Sequence, residues 1–258
     1  MADFIWYELM TSDPDAAGRF YGDVVGWTIG PRPDGEMDYR MIQRSDGGSA
    51  GGVLALTAEM QAGGAGPTWL PYLFAADTDA KVAQIEADGG AVQMPAMTLP
   101  VGRIAMVKDP QGVPIYVMTP VPPPGMEGME SDVFSVDKPQ HARWNELASP
   151  DLAASKEFYS RHFGFEFNNS MPMGEMGDYC FIDHEGRTLG AMMQAQPGQP
   201  QVWLTYFGVP SIAEAKRRVE AGGGSVLMGP HEVPGGEWII VALDPQGAGF
   251  GLVGPQGE

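Results

Sequence analysis

Trp6-Tyr7-Glu8-Leu9, near the start of the chain, returns as Trp144-Asn145-Glu146-Leu147, 138 residues later. The pairs Phe20-Tyr21 and Gly26-Trp27 return at the same spacing, as Phe158-Tyr159 and Gly164-Phe165. A turn sequence, Asp109-Pro110-Gln111-Gly112, returns as Asp244-Pro245-Gln246-Gly247 with an offset of 135 residues. A repeat of this length predicts two domains of similar fold. It directs the search for a site to residues that both copies keep and to those that only one keeps.

The length and composition predict two globular domains. The chain has 258 residues, 43% of them hydrophobic, which is enough for each domain to bury its own core. We predict domains at 1–119 and 139–256, joined by a linker at 120–138 that is rich in proline at first and acidic afterwards. The single cysteine, Cys180, excludes an intramolecular disulfide, and its apolar neighbours predict a buried thiol.

The charge limits the classes of partner. A net charge of −18 argues against nucleic acids and anionic membranes, whose recognition needs clustered lysine and arginine. No apolar run has the length of a membrane span, and the N-terminus lacks the pattern of a secretory signal. We therefore expect a cytoplasmic protein that binds a small molecule, as a monomer or a homodimer.

Hydrophobic periodicity divides each domain into two similar modules. The strands expected at 4–10 and 143–147 are each followed by a helix with an aspartate N-cap, Asp13 or Asp151, and a glycine C-cap, Gly26 or Gly164. Short strands follow, including 39–43 and 179–183. The second half of each domain repeats the pattern and closes with the Asp-Pro-Gln-Gly turn. The chain thus contains four βαβββ modules, an α+β arrangement.

The order of these motifs, with a helix that carries Phe-Tyr and a closing Asp-Pro-x-Gly hairpin, resembles the vicinal oxygen chelate superfamily. This group includes glyoxalases, bleomycin-resistance proteins and extradiol dioxygenases, and the chain looks most like its bacterial tandem two-domain glyoxalase-like members. The resemblance implies an α+β fold of two tandem domains, each with two βαβββ modules that form a half-barrel cup. It also implies a divalent metal ion in the cup of metal-dependent members, held by histidine, glutamate or glutamine.

The positions that the resemblance assigns to metal ligands carry unsuitable side chains. They fall on Trp6 and Trp144, near Leu70 and Leu204, and on Tyr116 and Gly251. None of these is a good ligand for a hard or borderline ion. The four histidines are confined to the second domain and its edge, and we interpret each as solvated: His141, His162, His184 and His231. We therefore expect no metal and no other cofactor, although a divalent ion with displaced ligands stays open.

Alternation along the strands nominates a different site. If Trp6 points into the cup, so does Glu8, and the same holds for Trp144 and Glu146. The facing strands would add Tyr72 and Tyr206, and the last strand of the first domain would add Tyr116. Arg103 would lie at the rim of the first cup, and the corresponding residue in the second domain is Glu237. Burial raises the pKa of a carboxyl group, which suits general-base catalysis. Glu8 and Glu146 are thus candidate bases, and the tryptophans, tyrosines and Arg103 are candidate binding residues; a purely structural role for the glutamates is the alternative.

Three functions remain open at this point. The first is a protein that binds a small apolar or aromatic molecule in the cup, with lyase or isomerase chemistry on a glutamate base and no metal. The second is a binding protein without chemistry, which confers resistance by sequestering its ligand. The third is a metal-dependent glyoxalase or dioxygenase whose ligands lie elsewhere.

Overall fold

The computed structural model describes residues 4–35, 37–122, 124–125 and 128–258. In the first repeat, the elements are β1 (Phe4–Thr11), α1 (Pro14–Val25), β2 (Thr28–Ile29), β3 (Tyr39–Gln43), β4 (Ser49–Ala55), α2 (Ala58–Ala62), β5 (Thr68–Phe74), α3 (Thr78–Ala87), β6 (Ala91–Leu99), β7 (Gly102–Lys108) and β8 (Pro114–Pro120). In the second repeat, they are β9 (Ala142–Ser149), α4 (Leu152–Phe163), β10 (Ser170–Pro172), a 3-10 turn at Gly174–Met176, β11 (Asp178–His184), β12 (Arg187–Gln194), β13 (Trp203–Gly208), α5 (Ile212–Ala221), β14 (Ser225–Glu232), β15 (Trp238–Leu243) and β16 (Gly249–Gly254).

The predicted α+β class and the tandem arrangement are confirmed. Two mixed sheets of eight strands form, one from β1–β8 and one from β9–β16. Within a module, the first strand runs parallel to the last, as in β1 with β4, and the remaining pairings are antiparallel. The short strands β2 and β10 and the helix α2 were not predicted, because stretches of two to five residues carry little periodicity. Among the described residues, no helix has the length and apolar character needed to cross a membrane.

The predicted helix caps are confirmed. Asp13 accepts a hydrogen bond from the amide of Ala16, and Asp151 accepts one from the amide of Ala154. Gly26 and Gly164 end their helices with φ of 87° and 70°, a left-handed conformation that glycine adopts without strain. These caps fix the point at which each chain segment leaves the helix and returns to the sheet.

The compact units of the chain do not follow the order of the sequence. One unit comprises Met1–Ile5, Leu70–Ser131 and Trp144–Trp203, and the other comprises Trp6–Trp69, Asp132–Arg143 and Leu204–Glu258. Each unit therefore combines a module of the first repeat with a module of the second. The predicted boundaries 1–119 and 139–256 describe the repeats in the sequence, and their independence as folding domains stays a prediction.

The repeated motifs join the two modules inside each unit. In the second unit, the hydroxyl of Tyr21 donates to Asp244 Oδ2 at 3.1 Å and accepts from the indole N–H of Trp69 at 2.9 Å. Tyr21 is fully buried and Trp69 is 1% exposed. Burial raises the pKa of Asp244, even though backbone amides and the Tyr21 hydroxyl donate hydrogen bonds to it. The Phe-Tyr helix of one repeat is thus anchored to the Asp-Pro-Gln-Gly turn of the other.

The first unit contains the same arrangement with the repeats exchanged. The hydroxyl of Tyr159 donates to Asp109 Oδ2 at 3.2 Å and accepts from the indole N–H of Trp203 at 3.1 Å. Asp109 also accepts hydrogen bonds at Oδ1 from the amides of Gln111 and Val113, which shape its turn. Because both copies make this contact, the two motifs that revealed the repeat are explained by packing rather than by chemistry.

The end of the linker is anchored in the second unit. The side chain of Gln140 donates to the carbonyl of Gly26 at 2.8 Å and accepts from the amide of Ser45 at 2.7 Å. Its own carbonyl accepts from the indole of Trp27 at 2.9 Å. These bonds hold Gln140 at a φ of 62°, which is uncommon for a residue with a side chain.

Three of the four histidines correct the sequence interpretation. His184 is largely buried, with 11% of its side chain exposed and its Nδ1 3.1 Å from the carbonyl of Gly164. His141 is 3% exposed, and its Nδ1 lies 2.8 Å from the carbonyl of Pro139. His162 is 7% exposed, and its Nε2 lies 2.9 Å from Asp88 Oδ2. The polar residues around His162 suggested a solvated side chain, because its partner, Asp88, is distant in the sequence and could not be recognised there. The buried thiol predicted for Cys180 is confirmed.

Candidate functional site

A hydrogen-bonded chain of three side chains occupies the first strands of the second unit. The indole N–H of Trp6 donates to the hydroxyl of Tyr39 at 2.8 Å. The hydroxyl of Tyr39 is hydrogen-bonded in turn to the carboxylate of Glu8. Tyr39 therefore links the two residues that alternation placed on one face of β1.

The first unit holds the matching chain from the second repeat. The indole N–H of Trp144 donates to the hydroxyl of Tyr179 at 2.8 Å, and this hydroxyl donates to Glu146 Oε2 at 2.6 Å. A separation of 2.6 Å is typical of a hydroxyl that donates to an ionised carboxylate. We call these sets the first cluster (Trp6, Tyr39 and Glu8) and the second cluster (Trp144, Tyr179 and Glu146).

Strand order explains how each tyrosine reaches its glutamate. Glu8 lies on β1 opposite Gly52 of β4, and Tyr39 lies on β3, on the far side of β4. Two strand spacings amount to about 10 Å, which a tyrosine can span only by lying across the central strand. The alternate residues of β1 face the core, where Tyr7 packs edge-on against Phe207 with ring centroids 6.3 Å apart.

The hydroxyl of Tyr39 is held in its protonated form. Burial raises the pKa of Tyr39, and the negative charge of Glu8 raises it further, whereas the hydrogen bond from Trp6 opposes them. Since the indole can only donate, the hydroxyl must turn its own proton toward the carboxylate. The tryptophan thus fixes the direction of the hydrogen bond, and the tyrosine favours the ionised glutamate.

The other predicted site residues lie in different surroundings. Tyr72 and Tyr116 stack with ring centroids 4.2 Å apart and an angle of 16° between their planes, and both are buried. The ring of Tyr206 covers Gly251, where an added Cβ would lie 2.2 Å from the ring. The second repeat therefore places a single tyrosine ring where the first has a pair of them.

Arg103 is engaged at the surface of the first unit. Its guanidinium forms an ion pair with Asp79 and donates to the hydroxyl of Thr98 at 2.9 Å. Glu237, which occupies the corresponding position, forms a two-point ion pair with Arg143 at 2.8 Å for both contacts. The predicted difference in charge between the repeats is therefore neutralised at both positions, and the binding role of Arg103 stays a prediction.

Sequence reasoning missed Tyr39 and Tyr179. Both residues begin strands that the pattern had located, and both copies of the repeat keep them. Their offset is 140 residues instead of 138, because the segment from the helix C-cap to the tyrosine is two residues longer in the second repeat (Gly164 to Tyr179) than in the first (Gly26 to Tyr39). A search for residues kept in both copies that tolerates loop length would have found them.

A pocket of about 290 Å³ lies elsewhere in the second unit. Its wall is largely aliphatic and includes Val24, Val25 and Val209, with Gln140 and Arg218 at its border. Gln140 is occupied by the contacts described above, and Arg218 is paired with Glu214. It contains none of the predicted site residues, so the clusters remain the candidate site.

The comparison with known proteins identifies the family. The sequence profile of the Glyoxalase/Bleomycin resistance protein/Dioxygenase superfamily matches residues 4–117 and 138–252. The chain belongs to this superfamily. The two matched segments coincide with the two repeats, so each repeat is a copy of the superfamily's domain.

Curated proteins and solved structures resemble all or part of the chain. CFP32 of Mycobacterium tuberculosis, which carries a provisional glyoxylase name, is 30% identical over 97% of this chain and 94% of its own length. The anthracycline biosynthesis protein DnrV of Streptomyces peucetius is 32% identical over 42% of this chain and 45% of its own length. The Mn(II)-bound glyoxalase of Novosphingobium aromaticivorans has a TM-score of 0.61 at 17% identity and covers 100% of this chain and 84% of its own. The 2,3-dioxygenase LapB of Pseudomonas sp. KL28 has a TM-score of 0.62 at 16% identity over 98% and 91% of the two chains, which shows a shared fold.

The side chains at the usual ligand positions do not fit a divalent metal ion. Trp6 and Trp144 present indole N–H groups, which are donors, and use them on tyrosine hydroxyls. Tyr116 stacks against Tyr72, and Gly251 has no side chain. Within the part of the chain that the structure describes, no three histidine, cysteine, aspartate or glutamate residues are grouped so that they could hold a metal ion. These side chains therefore do not fit the divalent ion that the resemblance implied.

Proposed function

We propose that the chain binds a small apolar or aromatic molecule against its Trp–Tyr–Glu clusters, without a metal ion. The observation that carries the proposal is the duplication of the complete cluster, with an indole-to-hydroxyl distance of 2.8 Å in both copies. Unlike the fully buried Tyr–Asp contacts between the modules, the second cluster keeps part of all three side chains accessible to a ligand. Indole and phenol rings suit a flat apolar ligand.

The carboxylates define the polar feature of the ligand. An ionised glutamate accepts hydrogen bonds only, so its partner must present an N–H, an O–H or a positive charge. The arginines on the surrounding strands are paired with acidic residues, as in Arg40 with Asp38 and Arg143 with Glu237. A ligand that carries a carboxylate would therefore find repulsion and no available cation among these pairs. The proposed ligand is a neutral or cationic aromatic compound with at least one hydrogen-bond donor.

Lyase or isomerase chemistry is the second candidate function. Glu8 is only 2% exposed, and burial raises the pKa of a carboxyl group toward the range useful for abstracting a proton beside a carbonyl. The hydrogen bond from the tyrosine acts in the opposite direction, because it stabilises the ionised form and weakens the base. Binding without turnover is therefore the primary proposal, and proton abstraction is the alternative that the burial of the glutamate favours.

The proposal is tested with an anthracycline as the probe, because part of the chain aligns with a protein of anthracycline biosynthesis. Binding is followed by quenching of tryptophan fluorescence in the wild type, in Glu8→Gln, in Glu146→Gln and in the double variant. Loss of a charged hydrogen bond in the double variant predicts affinity weaker by about tenfold or more. Glu157→Gln is the matched control, since Glu157 lies on the exposed side of α4.

The chemical state of the probe after incubation distinguishes binding from catalysis. Recovery of the probe chemically unchanged after incubation supports binding without turnover, whereas a product lost in the glutamate variants supports the catalytic alternative. Unchanged affinity and unchanged products in the double variant would refute both. Metal analysis of the protein purified without added metal tests the metal-free part, and a stoichiometric ion that is required for binding would overturn it.

A further inference from the structure

The two clusters differ in the exposure of their carboxylates. Glu8 is 2% exposed, whereas Glu146 keeps part of its surface accessible. Both glutamates occupy the same place in the repeat, both follow a tryptophan by two residues, and both are bonded to a tyrosine hydroxyl. A residue that the copies do not share accounts for this difference in depth in the proposal below.

That residue lies on the central strand, directly opposite each glutamate. In the parallel ladder, Glu8 pairs with Gly52 and Glu146 pairs with Ala191. An added Cβ on Gly52 would lie 2.1 Å from the hydroxyl oxygen of Tyr39 and 2.3 Å from its Cζ. Tyr39 thus rests directly on the backbone of β4, in space that a methyl group would fill.

Ala191 places a methyl group in the corresponding space of the second cluster. A tyrosine that lay on β12 as Tyr39 lies on β4 would collide with this methyl group, and the ring of Tyr179 stands parallel to that of Trp144 at a centroid distance of 6.5 Å and an angle of 6°. A tyrosine held further from the sheet would leave the carboxylate of Glu146 accessible, which agrees with its partial exposure. One methyl group therefore separates a closed cluster from an open one.

We propose that Glu146 is the carboxylate that meets the ligand, that Glu8 is a closed structural copy, and that Gly52 and Ala191 are the positioning residues that decide this. The inference rests on the proposed binding function and deepens it by assigning one binding site per chain. It gives the two halves unequal roles despite their shared motif. The ligand in question remains an aromatic compound with a hydrogen-bond donor.

Accessibility of the carboxylates is tested without any ligand. The folded protein is treated with a water-soluble carbodiimide and glycine ethyl ester, and the modified glutamates are located by mass spectrometry of peptides. Glu146 is expected to be modified at least about tenfold faster than Glu8, since reaction at a buried carboxylate requires local opening that costs more than about 1.4 kcal/mol. Glu157 provides the rate of an exposed carboxylate.

Exchange of the positioning residues makes the test specific. Gly52→Ala is expected to push Tyr39 outward and raise the modification of Glu8, whereas Ala191→Gly is expected to let Tyr179 settle and lower that of Glu146. Ala191→Gly adds no atoms, so it keeps the test informative if Gly52→Ala fails to fold, and thermal unfolding identifies that case. Equal rates for Glu8 and Glu146, or an unchanged Glu146 rate in Ala191→Gly, would overturn the inference.

Binding of the anthracycline probe completes the test and separates the two proposals. Glu146→Gln is expected to weaken binding about tenfold more than Glu8→Gln does, with Glu157→Gln as the unchanged control, and the wild type is expected to bind one probe per chain. An equal loss of affinity in Glu146→Gln and Glu8→Gln would leave the proposed binding function in place, and it would overturn the inference that only the second cluster holds the ligand. If the carbodiimide modifies Glu146 faster than Glu8 but neither glutamate variant loses affinity for the probe, the proposed binding function is overturned instead.

Discussion

Replacement of Tyr159 by phenylalanine tests whether the repeated Phe-Tyr and Asp-Pro-Gln-Gly motifs hold the modules together. The hydroxyl of Tyr159 is fully buried, donates to Asp109 and accepts from the indole of Trp203. The variant leaves a buried carboxylate oxygen and a buried N–H without this partner, since Asp109 is 2% exposed and Trp203 is 1% exposed. Loss of one neutral and one charged hydrogen bond predicts destabilisation of about 2–4 kcal/mol.

The assay is reversible unfolding in urea, followed by far-ultraviolet circular dichroism, together with thermal unfolding. For a chain of this size the predicted loss corresponds to a decrease in Tm of about 5–12 °C. A double-mutant cycle with Asp109→Asn isolates the contact, since asparagine keeps an oxygen for the amides of Gln111 and Val113; we expect a coupling energy of about 1 kcal/mol or more. Tyr179→Phe, which removes a hydroxyl with a similar pair of hydrogen bonds from a residue that is only partly buried, is the matched control. A loss below about 0.5 kcal/mol in both Tyr159→Phe and Tyr21→Phe would refute the role given to these contacts.

Three further predictions follow from the same structure. Burial lowers the pKa of His162 from 6.5, although the hydrogen bond to Asp88 opposes this shift. As the pH drops below 6.5, His162 is protonated in the unfolded chain before it is protonated in the folded one, so the free energy of unfolding decreases. His162→Gln should flatten this dependence in urea unfolding at pH 7.5 and 5.5, and the exposed His231→Gln should preserve it. Burial also raises the pKa of Tyr39, so its hydroxyl should stay protonated up to a pH of about 11. The tyrosinate absorbance at about 295 nm should therefore be the same in wild type and Tyr39→Phe below that pH. One more titrating tyrosine in the wild type would contradict this prediction. Because each compact unit combines modules of both repeats, residues 1–119 expressed alone should lack cooperative unfolding and regain it when coexpressed with 139–258; cooperative unfolding of 1–119 alone would contradict the prediction.

The fold was largely predictable because its signals are local. Aspartate N-caps, glycine C-caps and strand alternation specify each module from a few neighbouring residues, and the order of the modules then indicates the superfamily. The composition of the compact units was not predictable in this way. It depends on contacts such as Tyr21 with Asp244, which are separated by 223 residues and involve motifs that also fit an ordinary helix and turn.

The candidate site was predictable in part. Alternation placed Trp6 with Glu8 on one face of β1, and Tyr39 now connects them by hydrogen bonds. The tyrosine itself was missed because it comes from a strand two positions away, across a loop that differs in length between the copies. The difference between Gly52 and Ala191 had no visible meaning in the sequence, since its effect is the space that one methyl group occupies beneath a ring.

Titration calorimetry of the anthracycline probe into wild type, Glu146→Gln and Glu8→Gln tests the central claim most directly. The account predicts one binding site per wild-type chain and an affinity about tenfold lower in Glu146→Gln than in Glu8→Gln. Wild-type affinity in Glu146→Gln would show that the second cluster does not hold the ligand, and it would contradict the account.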